Sequence, residues 1–257
     1  MLKFRNTTIL FTVIIAVLLL AKILLAWPVW PIGIAALIYL TVLFFGSYRI
    51  DSQFYLPVVC SAKTNDKKIA ISFDDGPDEH YTPRILSTLK EFHFPAIFFC
   101  IGKKIGGREK ILKAITDAGH LVGNHSFSHD FWFSMKSAEN MNLDLSAADD
   151  EIKKIIGVQP KLFRPPYGVT NPNIRKAVEY GRYTAVGWSI RSMDTVINDR
   201  NKLLSKLKSS LRPGAVILFH DTSLTMAEIL PEFFQEIKNR GYEVVRIDQL
   251  LNLKPYA

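Results

Sequence analysis

The run Lys68-Ile69-Ala70-Ile71-Ser72-Phe73 is mostly apolar, and the polar turn Asp74-Asp75-Gly76-Pro77 follows it at once. A short apolar run that ends in a Gly-Pro turn is typical of a buried strand in a parallel sheet. Similar runs recur along the chain and alternate with stretches of helical periodicity. The predicted strands are 69–73, 96–101, 121–123, 161–163, 183–188, 215–219 and 243–247, and the predicted helices lie near 82–92, 108–118, 143–156, 172–180, 201–210 and 226–239. This βα alternation predicts an α/β fold, an incomplete (β/α)7 relative of the TIM barrel, with functional residues at the carboxyl ends of the strands.

Asp74 and Asp75 form an adjacent acid pair at the end of the first predicted strand. Neighbouring carboxylates repel one another unless a cation or an arginine holds at least one of them ionised. Adjacent strand residues point to opposite faces, but the Gly-Pro turn after Asp75 breaks the strand and could bring both carboxylates to one cavity. One carboxylate could then bind a metal while the other moves protons. A polar strand-to-loop turn is the competing interpretation of this tetrapeptide.

Two imidazoles lie four residues apart in His125-Ser126-Phe127-Ser128-His129. On a helical turn both rings would lie on one side, within reach of a single ion. Two imidazoles and one carboxylate leave a coordination position for water, which is typical of a catalytic zinc rather than a structural one. A solvated loop pair of His129 and Asp130 is the alternative.

The segment Phe163-Arg164-Pro165-Pro166-Tyr167-Gly168 adds a guanidinium at the end of a short apolar run. Arg164 could clamp the carboxylate of Asp74. The two prolines stiffen the loop, and the backbone amide of Tyr167 could donate to a developing oxyanion. A rigid surface turn with an exposed arginine is the alternative for this hexapeptide.

His220 ends the apolar run Val216–Phe219 and has a side chain that titrates near neutrality, which makes it a natural proton donor. Asp194 closes a further segment that begins at Trp188, and its carboxylate could orient His220 and raise its basicity. A structural histidine and a core tryptophan are the alternatives for these positions.

The motifs Phe73–Pro77, His125–His129, Arg164–Gly168, Trp188–Asp194 and Leu218–His220 occur in this order along the chain. The ordered set resembles the polysaccharide deacetylase family with the NodB homology domain, carbohydrate esterase family 4, and the resemblance covers residues from about 68 to 250. It implies a metal-dependent hydrolase that removes an N-acyl group, in the first place acetyl, from an amino sugar in a polysaccharide or a lipid-linked glycan.

The resemblance also implies a role for each motif residue. The implied metal ligands are Asp75, His125 and His129. The implied catalytic residues are Asp74 as base, Arg164 as the residue that positions it, Tyr167 as oxyanion donor, His220 as general acid and Asp194 as its tether. The implied substrate-binding residues are Pro166, Tyr167, Trp188 and Leu218. The implied cofactor is a divalent metal, Zn²⁺ in the first place, with Co²⁺, Ni²⁺ or Mn²⁺ as alternatives.

Two motifs depart from the family pattern. Thr195 follows Asp194 where many members have a tryptophan, and Arg191 precedes Asp194 by three residues. The family therefore does not define the shape and charge of the acyl or sugar pocket in this chain. Ser72 stands where threonine is usual in the first motif, which is a smaller change.

The first 48 residues hold two candidate membrane spans, 8–26 with Lys22 as its only charge and 32–48 with none. Each is close to the roughly 20 residues that cross a bilayer. Trp27-Pro28-Val29-Trp30-Pro31 separates them and predicts a tight turn at one interface. The predicted organisation is a transmembrane hairpin (1–48), a linker (49–67) and a catalytic domain (68–257). A signal peptide, or one span with an interfacial segment, is the alternative.

Basic residues flank this hairpin at its two ends. Lys3 and Arg5 precede the first span and Arg49 follows the second, whereas the turn between the spans holds no charge. The positive-inside rule therefore predicts a catalytic domain on the cytoplasmic side of the plasma (inner) membrane, although Lys22 would have to snorkel outward. A lipid-linked or nucleotide-linked sugar fits that side, whereas peptidoglycan or surface polysaccharide fits an outward-facing domain.

The 257-residue chain carries a formal net charge of +8. A basic excess beside a membrane favours anionic headgroups or phosphate-bearing substrates. The densest basic cluster is Lys103, Lys104, Arg108, Lys110 and Lys113, for which a solvated helix face is an equal alternative. No basic pattern interleaved with aromatic residues indicates nucleic acid. The two cysteines, Cys60 and Cys100, form no disulfide framework and fit a reducing compartment.

Two other functions fit parts of this pattern. Two imidazoles with a carboxylate also hold Fe(II) in oxygenases, although that chemistry does not need a second acid, an arginine clamp and a terminal histidine donor. A catalytically inactive, membrane-anchored sugar-binding protein could keep the same fold. The full set of catalytic residue types favours an enzyme, and its expected partners are an N-acylated amino-sugar glycan and membrane lipids.

Overall fold

The computed structural model describes residues 3–257 and is organised around a parallel β-sheet. The strands are β1 (Lys68–Asp74), β2 (Ala96–Cys100), β3 (Leu121–Asn124), β4 (Leu162–Phe163), β5 (Thr184–Ala185), β6 (Ile190–Arg191), β7 (Val216–His220) and β8 (Glu243–Val244). Seven of them run in the order β5-β4-β3-β2-β1-β7-β6, and β8 pairs with the first two residues of β1. This arrangement confirms the predicted incomplete (β/α)7 barrel.

Apart from an N-terminal pair, the helices follow the strands along the chain and cover the outer face of the sheet. The helices are α1 (Phe4–Leu25), α2 (Trp30–Tyr48), α3 (Tyr81–Phe92), α4 (Glu109–Asp117), α5 (Ala138–Ile156), α6 (Pro172–Tyr180), α7 (Arg200–Ser210), α8 (Leu224–Asn239) and α9 (Ile247–Leu251). Helix α5 begins before the predicted residue 143 because Ser137 caps it, its hydroxyl accepting from the Asn140 amide. Five-residue α9 was not predicted, since it is too short to show a period.

β1 lies in the middle of the sheet, and its side chains alternate between two layers. Ile71 and Phe73 are fully buried in the layer between sheet and helices, where Phe73 stacks on Phe98 with ring centroids 5.0 Å apart. Burial of one such side chain contributes about 1.5–3 kcal/mol. Ser72 and Asp74 therefore point to the opposite side, the barrel interior. The alternating direction of side chains along β1 thus places Ser72 and Asp74 on the functional face.

The barrel is open between β5 and β6, because β5 pairs with β4 whereas β6 pairs with β7. β6 begins after the run predicted as one strand over 183–188 and was not predicted, and within that run only β5 is a strand. The reason is that the carbonyls of Val186 and Gly187 accept hydrogen bonds from Arg164. Residues 59–61, within the predicted linker, cross this seam: Val59 bridges to Val186 and Ser61 bridges to Ala215.

Helices α1 and α2 form an antiparallel pair whose apolar side chains are mostly exposed. The hydroxyls of Thr8 and Tyr39 join the two helices at 2.9 Å. Within residues 3–257, these are the two helices that are long and apolar enough to cross a membrane. They match the two predicted spans, with Ala26–Val29 as the connection.

The base of this helical pair is bonded to the half-barrel. Ser47 near the end of α2 accepts a main-chain hydrogen bond from Thr170 at 3.0 Å, and its hydroxyl donates to the Thr170 carbonyl at 2.7 Å. At the start of α1, the Phe4 amide donates to the Phe54 carbonyl, and the Phe4 ring packs on Tyr55. Thr170 lies two residues after the Arg164–Gly168 motif, so the helical pair ends beside the functional face.

Candidate active site

Asp74 is the last residue of β1, and Asp75 is the first residue of the turn that follows. Asp75 has a φ of 76°, which takes the chain out of strand geometry, so its carboxylate and that of Asp74 both lie near His125. Gly76 is required at the next position because a Cβ there would collide with the carboxylate of Asp221. The turn therefore brings the two acids to one cavity, as the sequence predicted.

Asp75, His125 and His129 form a cluster of three candidate metal ligands. One ligand atom from each residue lies within 4.8 Å of the other two. Nε2 of His129 is 3.3 Å from Asp75 Oδ1, and Nε2 of His125 is 3.5 Å from the same oxygen. Asp75 Oδ1 is buried and has no hydrogen-bond partner among the described residues. A buried carboxylate oxygen that faces two imidazole nitrogens fits a divalent cation.

The two histidines lie in an irregular loop after β3 and not on the helical turn that their spacing suggested. Ser126 and His129 adopt positive φ values of 64° and 45°. The loop is held by local hydrogen bonds: Asn124 accepts from the Ser126 amide, and the Ser126 hydroxyl accepts from the His129 amide. Asp144 accepts from two further loop amides. These side-chain contacts replace the helical bonds and still bring both rings to one side.

The orientation of His125 is set by a carbonyl. Its Nδ1 lies 2.8 Å from the Arg164 main-chain oxygen, which can only accept, so Nδ1 carries the proton and Nε2 presents a lone pair to the cluster. Burial, with repulsion from His125, lowers the pKa of His129 to about 4, so that imidazole is neutral near pH 7. Burial opposes ionisation of Asp75, but the three imidazoles of His125, His129 and His220 hold its pKa well below the usual range.

Arg164 is fully buried and forms an ion pair with Asp74, with Nη1 at 2.6 Å from Oδ1. The same nitrogen donates to the hydroxyl of Ser72 at 2.8 Å. The guanidinium stacks over the Phe99 ring, with its central carbon 4.1 Å from the ring centroid. Hydrogen bonds along its edge and the Phe99 ring on one face hold the guanidinium, and the ion pair fixes the carboxylate of Asp74. Asp74 Oδ2 remains directed at the cluster, 3.8 Å from His125 Nε2.

His220 ends β7 directly beside Asp74 in the sheet register. Its Nδ1 lies 2.7 Å from Asp194 Oδ1, and its backbone amide donates to Asp194 Oδ2 at 2.8 Å. Ser192 donates its hydroxyl to the same Oδ1. Burial alone would lower the pKa of His220, but the hydrogen bond and the charge of Asp194 outweigh it, with help from Asp74 and Asp75, and raise this pKa to about 9.

The predicted substrate-binding residues lie around this centre at different depths. Tyr167 is half exposed, has a φ of 60°, and packs its ring against His129 with centroids 4.8 Å apart. Pro166 is buried beneath it, and Trp188 is partly exposed beside Arg164. Leu218 is buried in β7, two residues before His220. Of these four residues, only Tyr167 and Trp188 expose enough surface to contact a ligand.

Two residues near the centre were not assigned from the sequence. The ammonium of Lys104 donates to the Asp75 carbonyl at 2.8 Å, so one member of the basic cluster supports the turn. Asp221 is fully buried and accepts from the Thr82 hydroxyl, and burial raises its pKa to about 7. The signal for Asp221 was its position directly after His220. Its partners come from other elements, and the sequence pattern does not show them.

Comparisons with known proteins identify the family of this chain. A family model described as polysaccharide deacetylase matches residues 61–186. The chain is 32% identical over 192 residues to peptidoglycan-N-acetylmuramic acid deacetylase PdaA of Bacillus subtilis, with 73% of each protein covered. The crystal structure of the Bc1960 peptidoglycan N-acetylglucosamine deacetylase superposes with a TM-score of 0.74 at 26% identity, covering 78% of this chain and 95% of that chain. BA3943 of Bacillus anthracis, a CE4 family pseudoenzyme, superposes with a TM-score of 0.70 at 25% identity, covering 76% of this chain and 69% of that chain.

Proposed function

Because the chain belongs to the polysaccharide deacetylase family, we propose that it is a membrane-anchored, metal-dependent hydrolase that removes an N-acyl group, in the first place acetyl, from an amino sugar. The family and the activities named for its relatives support the reaction class, hydrolysis of a linear amide C–N bond. The single observation that carries the proposal for this chain is the cluster of Asp75, His125 and His129. The Asp74–Arg164 and His220–Asp194 pairs flank that cluster.

The donor set of two imidazoles and one carboxylate would hold the metal. Such a set with positions left for solvent and substrate favours Zn²⁺, and Co²⁺, Ni²⁺ and Mn²⁺ accept the same donors. A divalent ion supplies Lewis acidity there, which makes water a nucleophile at neutral pH and polarises the amide carbonyl. The orphaned Asp75 oxygen and the inward lone pair of His125 Nε2 support this assignment.

Asp74 would take the proton from the attacking water. Its Oδ1 is engaged by Arg164, so Oδ2, which faces the cluster, is the atom that is free to accept. As the water oxygen bonds to the amide carbon, negative charge develops on the carbonyl oxygen. The Tyr167 amide, in its rigid proline-flanked loop, would donate to that oxygen, and removal of such a donor typically costs about 3–4 kcal/mol of transition-state stabilisation.

His220 would then protonate the leaving amine. Asp194 occupies Nδ1, so the proton on Nε2 is the one that can be donated, and a pKa of about 9 keeps it present at neutral pH. The C–N bond breaks, the amine leaves with that proton, and the acyl group leaves as a carboxylic acid. Asp74 and His220 occupy facing positions on adjacent strands, which places base and acid on either edge of one reacting centre.

A quantitative test measures acetate release from an N-acetylglucosamine oligomer by the detergent-purified full chain with added Zn²⁺. Asp75→Asn and His129→Asn should abolish release, because each removes one ligand. Asparagine is the best replacement, since both residues adopt positive φ and asparagine tolerates it. His93→Asn is the matched control: His93 also has a positive φ, of 58°, and ends α3 far from the cluster.

If Asp75→Asn and His129→Asn both release acetate at the wild-type rate, the proposed metal site is wrong. No acetate from the wild-type protein with any N-acetylated glycan would instead favour an inactive sugar-binding protein of the BA3943 kind. Product formation that depends on O₂ and Fe(II) would favour the oxygenase alternative.

We further infer that α1 and α2 are a retained transmembrane hairpin with the catalytic domain on the cytoplasmic side. The exposed apolar surface of both helices and the contacts of Ser47 and Phe4 with the half-barrel support the hairpin. The positions of Lys3, Arg5 and Arg49 at one end of the pair support the orientation. Paired C-terminal reporters, one active only in the cytoplasm and one only outside, test it. Activity of the outside reporter alone would reverse the orientation and favour peptidoglycan, the substrate named for the relatives.

A further inference from the structure

A cavity of about 470 Å³ lies between the carboxyl end of α2 and the seam of the half-barrel, and we call it the seam cavity. Tyr48, Arg49 and Asp51 line it on the side of the helical hairpin. Tyr167 and Trp188 of the active site line it on the other side. The seam cavity therefore connects the proposed reaction centre with the end of a proposed membrane span.

Arginines give the seam cavity a positive charge. Arg191 and Arg212 line it, and across residues 3–257 neither forms an ion pair with a carboxylate. Arg212 donates to the main-chain carbonyls of Ser189 and Ser210, and the Arg191 guanidinium lies 5.9 Å from the Trp188 ring centroid. Arg49 is the third arginine, and Asp51 pairs with it at 2.9 Å. Two guanidinium charges are thus uncompensated, and guanidinium groups are well suited to phosphate.

Arg191 lies on the interior face of the sheet, the same face as the reaction centre. Its neighbour Ile190 is buried in the layer between sheet and helices, so Arg191 lies on the opposite, interior side of β6. In the register it pairs with Leu218, two residues before His220. This is the residue that, with Thr195, marked the departure of the chain from the family pattern.

A second, apolar cavity of about 330 Å³ lies along the last turns of α2 and shares Arg49 with the seam cavity. Val42, Phe45 and Phe54 supply most of its apolar lining. A ligand that filled both cavities would place apolar chain on one side of Arg49 and a polar, anionic group on the other. A lipid phosphate has that sequence of groups.

An exposed aromatic loop lies at the same mouth. Phe131, Trp132 and Met135 are all more than two-thirds exposed, and the Phe131 ring is 6.2 Å from that of Tyr167. Asn171 donates to the Ser134 carbonyl and thereby ties this loop to the segment that contacts α2. Exposed aromatic residues beside a hairpin of this kind favour the membrane interface.

We propose that the seam cavity binds the phosphate of a lipid-linked substrate, an N-acylated amino sugar that is joined through its phosphate to a membrane lipid. This inference rests on the proposed deacetylase function and names its substrate class. Arg191 and Arg212 contact the phosphate, the sugar extends to Asp74 and His220, and the lipid chain follows α2 into the bilayer.

The test compares three substrates with the full chain in detergent micelles. They are N-acetylglucosamine joined by a phosphate to an isoprenoid chain, the same sugar joined to an alkyl chain without phosphate, and N-acetylglucosamine 1-phosphate without lipid. The phosphate-linked lipid substrate should exceed the phosphate-free glycoside in kcat/KM by about a hundredfold, about tenfold for each guanidinium contact. A high rate with N-acetylglucosamine 1-phosphate and no gain from the lipid would identify a soluble sugar phosphate and overturn the lipid part of the proposal.

Arg191→Met and Arg212→Met should each reduce this preference about tenfold, mainly through KM, since each removes one charge-assisted contact. Arg175→Met is the matched control, because Arg175 is exposed on α6 and is paired with Glu179. A preference that persists in the Arg191/Arg212 double variant overturns the proposal while the deacetylase function stands.

A binding measurement without turnover distinguishes failure of the phosphate site from failure of the proposed deacetylase function. Farnesyl phosphate should bind the wild-type protein at least tenfold more tightly than farnesol or inorganic phosphate, and the double variant should lose that difference. This result can be obtained even if no amide is hydrolysed. Equal binding of farnesyl phosphate to wild-type protein and double variant overturns the phosphate site, whatever the acetate assay shows.

Discussion

Asp194→Asn is the change that most sharply separates general acid catalysis by His220 from a merely structural histidine. Asp194 accepts two hydrogen bonds from His220, one from the ring Nδ1 and one from the main-chain amide. Asparagine keeps the shape but loses the charge, and its NH₂ group cannot accept. The substitution therefore removes the main cause of the raised pKa of His220.

The expected size of the effect follows from the two pKa values. The general acid must carry its proton, so a raised pKa preserves activity up to about pH 9 in the wild-type protein, whereas loss of Asp194 returns the pKa of His220 to about its ordinary value of 6.5. At pH 8 a group with a pKa of 9 is about nine-tenths protonated, and one with a pKa of 6.5 about one-thirtieth. The wild-type protein should therefore exceed the variant by about thirtyfold at pH 8 from protonation alone. At pH 6 both forms are mostly protonated, so the same ratio should approach one.

The assay is kcat/KM for acetate release between pH 5.5 and 10, because that quantity reports the pKa values of the free enzyme. A loss of geometry lowers the variant equally at every pH, so the change in the ratio between pH 6 and pH 8 isolates the proton. Asp66→Asn, an exposed acid before β1, is the control and should follow the wild-type profile. A ratio that is constant with pH would refute the assignment of His220 as the acid that Asp194 keeps protonated.

Three further changes test other parts of the site. Arg164→Met leaves the buried Asp74 carboxylate without its partner and should cost about 3–5 kcal/mol of unfolding free energy by denaturant titration, whereas the exposed Arg175→Met should change it by less than about 1 kcal/mol. Equal stability of the two variants would contradict the clamp. Gly76→Ala pushes a methyl group into Asp221 and should cost about 1–3 kcal/mol and most acetate release; a fully active variant would show that the turn is not constrained. Removal of metal by a chelator should abolish acetate release, and added Zn²⁺ should restore it. Full acetate release by protein in which metal analysis finds less than one-tenth of a metal ion per chain would exclude a metal-dependent mechanism.

The overall fold could be predicted because a strand inside a covered parallel sheet must be apolar, and each predicted strand was an apolar run. A strand such as β1 that is buried on both faces needs continuous apolar residues, and the turn after Asp75 marks where it ends. The end of β5 at Ala185, within the run predicted as a strand over 183–188, could not be predicted in this way. It depends on Arg164, a residue distant in sequence, which draws the carbonyls of Val186 and Gly187 away from a neighbouring strand.

The candidate site was predictable where the chemistry lies in the residue types themselves. The acid pair, the two histidines and the final His220 each stand at a strand end, and a parallel sheet brings such ends together. The helical turn expected for His125 and His129 did not form, because Asn124, Ser126 and Asp144 satisfy the loop amides. The sequence could not predict that Arg191 and Arg212 line one cavity, because the seam that brings them together is a consequence of the gap between β5 and β6.

The central claim is that Asp75, His125 and His129 hold one divalent ion. X-ray absorption at the zinc edge of the detergent-purified full chain tests it most directly, with His93→Asn as control. We expect about one zinc per chain, bound by two imidazole nitrogens at about 2.0–2.1 Å and by oxygen, and loss of this signal in Asp75→Asn. A sulfur shell from Cys60 or Cys100, or a spectrum that Asp75→Asn and His129→Asn leave unchanged, would contradict the account.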